Sequence, residues 1–347
     1  MNRIIKISSF LGALLAVNVS FAQDIHFSMY SEAPVNVNPA LITTAYDTRV
    51  IGNYRTQWGS VAKAYTTYGV SFEQAIRHLK LKKNYIGLAL NINSDKAGDA
   101  KLGSLMPSIG VCFVTKSSKF SKLSGGLQAG MVYRTININS LRWDSQYDGY
   151  AYDPSLPSGE STPRSAITTY DIGGGVNFHY AKSERYISAQ DGAKCDIGFS
   201  AFHFQQPKNS FFESSERLHT KYIFHANLDY GIKSAALALV PSILYMKQGP
   251  NTETTLGFIL KYIIEDQATY TNVKKASSLS FGVYYRLKDA VIPTLLFQKS
   301  KYAIGVAYDV NISQLTPASK LKGGLEVTLR YNTSPGYGRA LGNSVNR

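Results

Sequence analysis

From about residue 48 onward the chain alternates. In 301–311 the even positions Tyr302, Ile304, Val306, Tyr308 and Val310 are apolar, whereas Lys301, Ala303, Gly305, Ala307, Asp309 and Asn311 are polar or small. This is the period of two of a strand with one apolar face. The same period runs through Tyr222, Phe224, Ala226, Leu228, Tyr230 and Ile232 against Ile223, His225, Asn227, Asp229 and Gly231. It recurs in Tyr170, Ile172, Gly174, Val176, Phe178 and Tyr180 against Asp171, Gly173, Gly175, Asn177 and His179, and in Leu325, Val327, Leu329 and Tyr331 against Glu326, Thr328, Arg330 and Asn332. Read this way, the sequence predicts fourteen strands, near 48–55, 64–76, 84–94, 103–115, 124–137, 166–180, 193–204, 217–232, 235–247, 252–263, 277–286, 290–299, 301–311 and 320–333.

Their length decides the environment. Strands of a soluble sandwich run to about 5–6 residues, whereas a tilted strand crossing a bilayer needs about 9–11. Beyond Gln23 no apolar run approaches the roughly 20 residues of a spanning helix. An open sheet edge in hydrocarbon would leave backbone groups unsatisfied, so the sheet must close, and an even strand count suits closure. The predicted fold is all-β: an antiparallel transmembrane β-barrel of about 14 strands. Tyrosines and phenylalanines near the ends of the apolar faces fit aromatic girdles.

With an even count both termini fall on one side, taken as periplasmic. Residues 23–47 are then expected to form a short periplasmic N-terminal segment. Residues 138–165 are expected to form a long extracellular loop rich in Tyr, Asp, Ser and Pro, and 264–276 a longer inner turn. The inward face collects Asn91, Arg134, Asp171, Asn177, His179, His225, Asn227, Asp229, Lys261, Asp309, Glu326 and Arg330. Such a set suits a hydrated lumen with cross-strand ion pairs, or else a solute path or a surface that binds a plug.

Composition narrows the picture in two places. Arg3 and Lys6, the apolar stretch Ile7–Val19 and Ser20-Phe21-Ala22 have the form of a signal peptide over 1–22, with 23–347 as the barrel. No Cys stands at the processing site, which argues against a lipoprotein anchor. The chain has 37 Lys+Arg against 23 Asp+Glu, a net charge of +14. For an exported barrel that surplus points to anionic lipid, lipopolysaccharide or an acidic partner. With no clustered basic helix and no zinc-finger spacing, no nucleic acid is expected as a partner.

Catalytic chemistry is thin. G-x-S-x-G, H-E-x-x-H, P-loop and G-x-G-x-x-G patterns are all missing from the sequence. His225 and Asp229 can share a strand face, but chance pairings of this kind are expected among six His and many Ser. His179, His203, His219 and His225 lack ligand spacing. No catalytic residue, cofactor or metal is assigned, and the protein is expected not to be an enzyme. Cys112 falls on the small-residue face and Cys195 on the apolar face, so a bridge between them is not expected.

Several motifs together resemble one family. Asp24-Ile25-His26-Phe27-Ser28-Met29-Tyr30, then Ala33-Pro34-Val35-Asn36-Val37-Asn38-Pro39-Ala40-Leu41, resembles the opening of the PorP/SprF family of Bacteroidota outer-membrane proteins. Asn53-Tyr54-Arg55-Thr56-Gln57-Trp58 is similar to its Y-R-x-Q-W signature, and Arg142-Trp143-Asp144-Ser145-Gln146-Tyr147 to the opening of its long loop. Asp196-Ile197-Gly198-Phe199 with Pro207-Lys208-Asn209-Ser210-Phe211-Phe212 resembles a further stretch. Tyr308-Asp309-Val310-Asn311-Ile312-Ser313 and Gly323-Gly324-Leu325-Glu326-Val327-Thr328-Leu329 resemble its closing strands. Met29, where Gln is common, and Thr43-Thr44, where Gly is common, are the departures.

The resemblance implies a non-enzymatic outer-membrane component of the type IX secretion system. Its implied partners are a secreted cargo such as a surface adhesin used in gliding, the periplasmic and lipoprotein components of the system, and outer-membrane lipid. Under that reading the long loop would present Trp143, Asp144, Gln146, Tyr147 and Tyr150 to the exported protein, the alternative being a loop that folds inward and plugs the lumen. The motif residues Asn38, Pro39, Tyr54, Arg55, Gln57, Trp58, Asp309 and Glu326 carry structural roles in the same reading. Asn38-Pro39 is a turn initiator, and Tyr54 and Trp58 are amphipathic anchors. The rival function is an outer-membrane diffusion channel or hydrophobic-solute transporter, which alternation alone does not separate from a secretion component.

Overall fold

The computed structural model describes residues 24–333 apart from 60–62, 78–83, 99, 119, 160–163, 187–188, 212–215, 233–234, 266–276 and 315. The signal-peptide stretch, Phe212 and most of the inner turn at 264–276 lie outside the described residues. Alternation is realised as fourteen strands: β1 (Thr48–Gln57), β2 (Tyr65–Ile76), β3 (Tyr85–Ala97), β4 (Leu102–Lys116), β5 (Ser121–Thr135), β6 (Ala166–Tyr186) and β7 (Ala189–Phe202), then β8 (Lys221–Gly231), β9 (Leu237–Gln248), β10 (Asn251–Glu265), β11 (Ser277–Arg286), β12 (Ala290–Lys299), β13 (Tyr302–Asn311) and β14 (Lys322–Thr333). Each pairs antiparallel with its sequence neighbours, and β1 pairs β14 from Thr48↔Thr333 to Gln57↔Gly324, which closes the barrel. Closure leaves no sheet edge to be satisfied by lipid.

The outer face of the strands is apolar and open. Tyr302, Ile304, Val306 and Tyr308 on β13, Ile172, Val176 and Phe178 on β6, and Leu295 and Phe297 on β12 are all exposed. An apolar belt of this extent fits hydrocarbon and not water. The opposite positions, among them Ala303, Ala307 and Asp309, are buried in the interior. Cys112 faces inward and is buried, Cys195 is half-buried, and both are free thiols.

One end of the barrel carries the two longest connections, 136–165 and 203–220, and is the outer end by the rule for such barrels. The loop 138–165 lies at that end, with short 3-10 turns at Ile138–Ser140 and Asp144–Gln146.

The N-terminal segment is the main correction. Residues 24–47 do not form a periplasmic extension. They lie inside the barrel, and nearly every one from Phe27 to Thr44 is buried. Asp24 meets His203 and Lys221 at the outer end, Asn38 meets His225 at mid-height, and Thr44 meets Lys122 at the inner end. The segment therefore runs the full height of the lumen before Thr48 begins β1. It has no strand partner. It turns through a 3-10 turn at Tyr30–Glu32, one helical turn at Pro34–Val37 and a 3-10 turn at Pro39–Leu41.

Candidate functional site

The lumen is a packed core. Met29, Tyr30 and Val37 of the segment pack with Phe202, Ile223, Leu244, Tyr284, Ala290, Ile292 and Ala307 of the wall. Nearer the inner end, Val35 and Ile42 pack with Tyr85, Ala89, Cys112 and Val114. Ile223, Leu244 and Ile292 stand on the inward face, where a water-filled barrel would have polar residues. Burying one such side chain is worth about 1.5–3 kcal/mol. The hydrated-lumen expectation is thus replaced by an interior that the chain fills with its own N-terminal segment.

A segment without strand pairing must satisfy its backbone in other ways. Here the wall side chains do it. Glu326 accepts from the backbone N–H of Ser28 at 2.6 Å and of Met29 at 3.0 Å. Ser200 donates to the Val37 carbonyl at 2.6 Å, Ser124 to the Ala40 carbonyl at 2.7 Å, and Tyr85 to the Thr43 carbonyl at 2.9 Å. Lys122 donates to the Thr44 carbonyl at 2.8 Å, and Glu73 accepts from the Thr43 N–H at 3.0 Å.

Around this cradle lies a buried ionic network. Arg55 of β1 donates to Asp309 of β13 at 2.8 Å and to the His26 carbonyl, and its Nε stands 4.0 Å from Glu326 of β14. Asp309 also accepts from Ser28 Oγ at 2.7 Å, and Arg286 of β11 approaches Asp309 at 3.4 Å and donates to Ser28 Oγ at 2.9 Å. Two further pairs lock other levels: Arg330 with Glu32 at 2.6 Å, and Arg49 with Glu73 at 2.7 Å. The motif residues Arg55, Asp309 and Glu326, far apart in sequence, are thereby brought to one point across the β1–β14 closure.

The Asn38-Pro39 motif is pinned at mid-height. Asn38 Nδ2 donates to the Val176 carbonyl at 3.0 Å and lies 3.1 Å from His225 Nε2, while its Oδ1 accepts from the Ala40 N–H at 2.8 Å. Two wall glycines admit it. A Cβ at Gly126 would stand 2.4 Å from the Pro39 carbonyl carbon, and one at Gly198 would stand 2.7 Å from Asn38 Nδ2. Tyr54 instead faces outward and packs on Tyr68 at 5.2 Å, while Trp58, just after β1, lies in the left-handed region at φ 64°. Gln57, the last residue of β1, pairs with Gly324 and Tyr65.

Other inward residues that the alternation marks also find partners. Asn91 donates to Asn36 at 2.7 Å, His179 meets Asp196 at 2.8 Å, with Asn177 donating to the same carboxylate at 3.2 Å. Asn227 accepts from the Tyr30 hydroxyl at 3.4 Å, and Lys261 lies 3.7 Å from Asp229. Asp171 Oδ1 lies 2.8 Å from His203 Nδ1. His203 stands in the turn just beyond β7. Burial alone would lower its pKa, but the Asp24 and Asp171 carboxylates raise it to about 9. Arg134 lines a cleft of about 90 Å³ at the outer mouth. A second cavity, of about 280 Å³, lies between the segment and the wall and reaches Tyr46, Arg49, Asp229 and Lys261 toward the inner end. Ser28, Glu32, Glu73 and Arg286 are members of the site that alternation did not single out.

The outer loop is organised differently. Tyr147 and Tyr150 are exposed, Tyr150 at 94%, and Asp144 is exposed beside a half-buried Trp143. Gln146 is not available as a contact residue. It is buried, donates to the Leu156 carbonyl at 3.0 Å and accepts from the Tyr152 hydroxyl at 3.2 Å. Asp148 caps the turn, accepting from the backbone N–H of Tyr150 and Ala151 at 2.7 Å each. The N–H of Ala151 and that of Tyr150 hold its carboxyl below the ordinary carboxylate range.

Residues 19–331 match the family model described as type IX secretion system membrane protein PorP/SprF. No curated protein matches the sequence significantly. Among solved structures, the chain is similar to the TodX monoaromatic hydrocarbon channel in a deletion variant at 10% identity and a TM-score of 0.45, over 87% of this chain and 94% of that one. BamA from Haemophilus ducreyi lacking POTRA domains 1–3 is similar at 8% identity and a TM-score of 0.43, over 82% and 70% of the two chains. LpxR from Salmonella typhimurium follows at 6% identity and a TM-score of 0.35, over 82% and 99%. Likeness at that level says nothing of ligand or activity.

Proposed function

Because the chain belongs to the PorP/SprF family of type IX secretion system membrane proteins and forms a closed barrel of the outer membrane, we propose that it serves secretion or surface attachment of a large cargo protein, such as a gliding adhesin, without being the conduit. The observation that carries this reading is the filled lumen. A polypeptide passing through the barrel would have to displace a segment held by Arg55, Asp309 and Glu326 and by two apolar clusters. The surface left for cargo is the outer end, where Trp143, Asp144, Tyr147 and Tyr150 stand on a loop braced from within by Gln146. Exposed aromatic side chains on a braced loop have the character of binding hot spots. Periplasmic and lipoprotein components of the secretion system would engage the inner end, and the protein would work without catalysing a reaction.

The test is affinity purification of a tagged copy from gently solubilised outer membranes, with mass spectrometry of what remains bound, in the wild type and in a variant lacking 145–161. Recovery of a large surface protein by the wild type and its loss in the deletion, with the barrel still assembled, is expected. Equal recovery, or normal surface delivery of every cargo by the deletion, removes the loop from recognition. The diffusion-channel reading is met by planar-bilayer conductance. The filled lumen predicts a closed wild type, and an open, well-behaved channel without an export defect would decide for the channel.

A further inference from the structure

The lipid-facing wall is not smooth. Across β12, β13, β14 and β1, toward the inner end, it carries an apolar groove of about 480 Å³ walled by Phe297, Ile304, Leu329, Val50, Tyr302 and Tyr331. The groove exists because Gly52 faces outward opposite Leu329, where neighbouring strands carry large side chains. A Cβ added at Gly52 would meet nothing within 4 Å. Tyr302 and Tyr331 form one end as a tilted ring pair at 5.3 Å. Beside them stands Lys299, paired with Tyr302 in the register of β12 and β13 and exposed. Among the described residues, no hydrogen bond or ion pair engages the side chain of Lys299.

Two features select the occupant. The volume falls within the roughly 300–1,000 Å³ of small-ligand sites, and the lining is hydrocarbon and aromatic. Of the two cations that line it, Arg330 is turned inward to Glu32, and Lys299 stands at the inner rim, beyond the last apolar position of β12, where a headgroup phosphate would lie. Tyrosine rings belong at that same interface, apolar body inward and hydroxyl toward water. We propose that this groove is a phospholipid site in the periplasm-facing leaflet. One acyl chain lies along Phe297, Ile304 and Leu329 over the Gly52 depression, and Lys299 takes the headgroup phosphate as a charge-assisted contact. The site lies on the outward side of the same β1–β14 closure whose inward side carries Arg55 and Glu326. It therefore places a resident lipid against the outer side of that closure.

Native mass spectrometry of the detergent-purified full chain, with added phosphatidylglycerol as the probe, tests this. The wild type is expected to retain one phosphatidylglycerol under activation that strips the remainder. Lys299→Ala removes the headgroup contact and should lower retention about five-fold, the worth of one surface cation near an anionic lipid. Gly52→Leu fills the groove without touching the lumen and should lower it at least as much. Lys116→Ala, at the inner end of β4 several strands away, should retain lipid as the wild type does. Equal retention by Lys299→Ala and wild type, or equal loss in Lys116→Ala, would overturn the site in favour of ordinary annular lipid. Should Gly52→Leu fail to assemble, the lysine pair decides the matter alone.

Discussion

The luminal segment and the outer loop contain similar numbers of residues, and they are held in opposite ways. The segment 24–47 has almost no contacts of its own making beyond single turns. It is fixed by residues from β1, β2, β4, β5, β7, β11, β13 and β14. The loop 138–165 is fixed mainly from within, by Gln146, Asp148 and the Tyr147↔Tyr152 bridge. A part held by the whole barrel cannot vary without disturbing the barrel. A part that holds itself can change its surface without disturbing the barrel, as binding loops on rigid scaffolds do.

The sharpest way to break the comparison is Arg55→Ala. It leaves Asp309 and Glu326 without their shared cation in a buried site, and the barrel should lose about 3–5 kcal/mol of stability. Urea-dependent loss of the folded band on unheated gels would show it, and a shift indistinguishable from wild type would remove the network from the stability of the fold. Asn38→Ala comes next, since His225 and the Val176 carbonyl lose their partner, at about 1–3 kcal/mol by the same measurement.

A smaller effect concerns the outer end of the segment. The pKa of His203 is raised in the folded state, so its ion pairs with Asp24 and Asp171 contribute fully below the unfolded value near 6.5 and are lost as pH rises through about 9. Lys221 and Gln248 also face Asp24 and remain. Hydrogen exchange over 24–28 should therefore quicken, beyond its intrinsic pH dependence, between about pH 6.5 and 9, while 38–44 should not. The same excess at both ends would mean the segment loosens as one unit. Smallest is Tyr150→Ala, expected within about 0.5 kcal/mol of wild type in stability while weakening recovery of the surface protein. Unchanged recovery would place recognition elsewhere.

How much of this was legible follows from the same contrast. All fourteen strands were, because an apolar face against lipid imposes an unbroken period of two, and the ends shift by only a few residues. The luminal segment was not. It has neither period, since it is neither strand nor amphipathic helix, and its Asn38-Pro39 turn has the look of a linker. A signal did exist: Ile223 stands on the face of its strand that also carries His225 and Asp229, where a wet lumen would have a polar residue, and Phe27, Val35, Val37 and Ile42 give a supposed linker more apolar residues than solvent exposure would favour. Arg55, Asp309 and Glu326 could be listed as motif residues, but nothing in their spacing shows that they converge. The burial of Gln146 comes from local hydrogen bonds, which leave no periodic trace in the sequence.

The direction in which the luminal segment runs has a topological consequence. Asp24 lies near the outer mouth and Thr333 at the opposite rim, so the two ends of the described chain open onto different compartments although the strand count is even. An epitope fused ahead of Asp24 would be displayed to antibody on intact cells, whereas the same epitope after β14 would stay hidden until the envelope is breached.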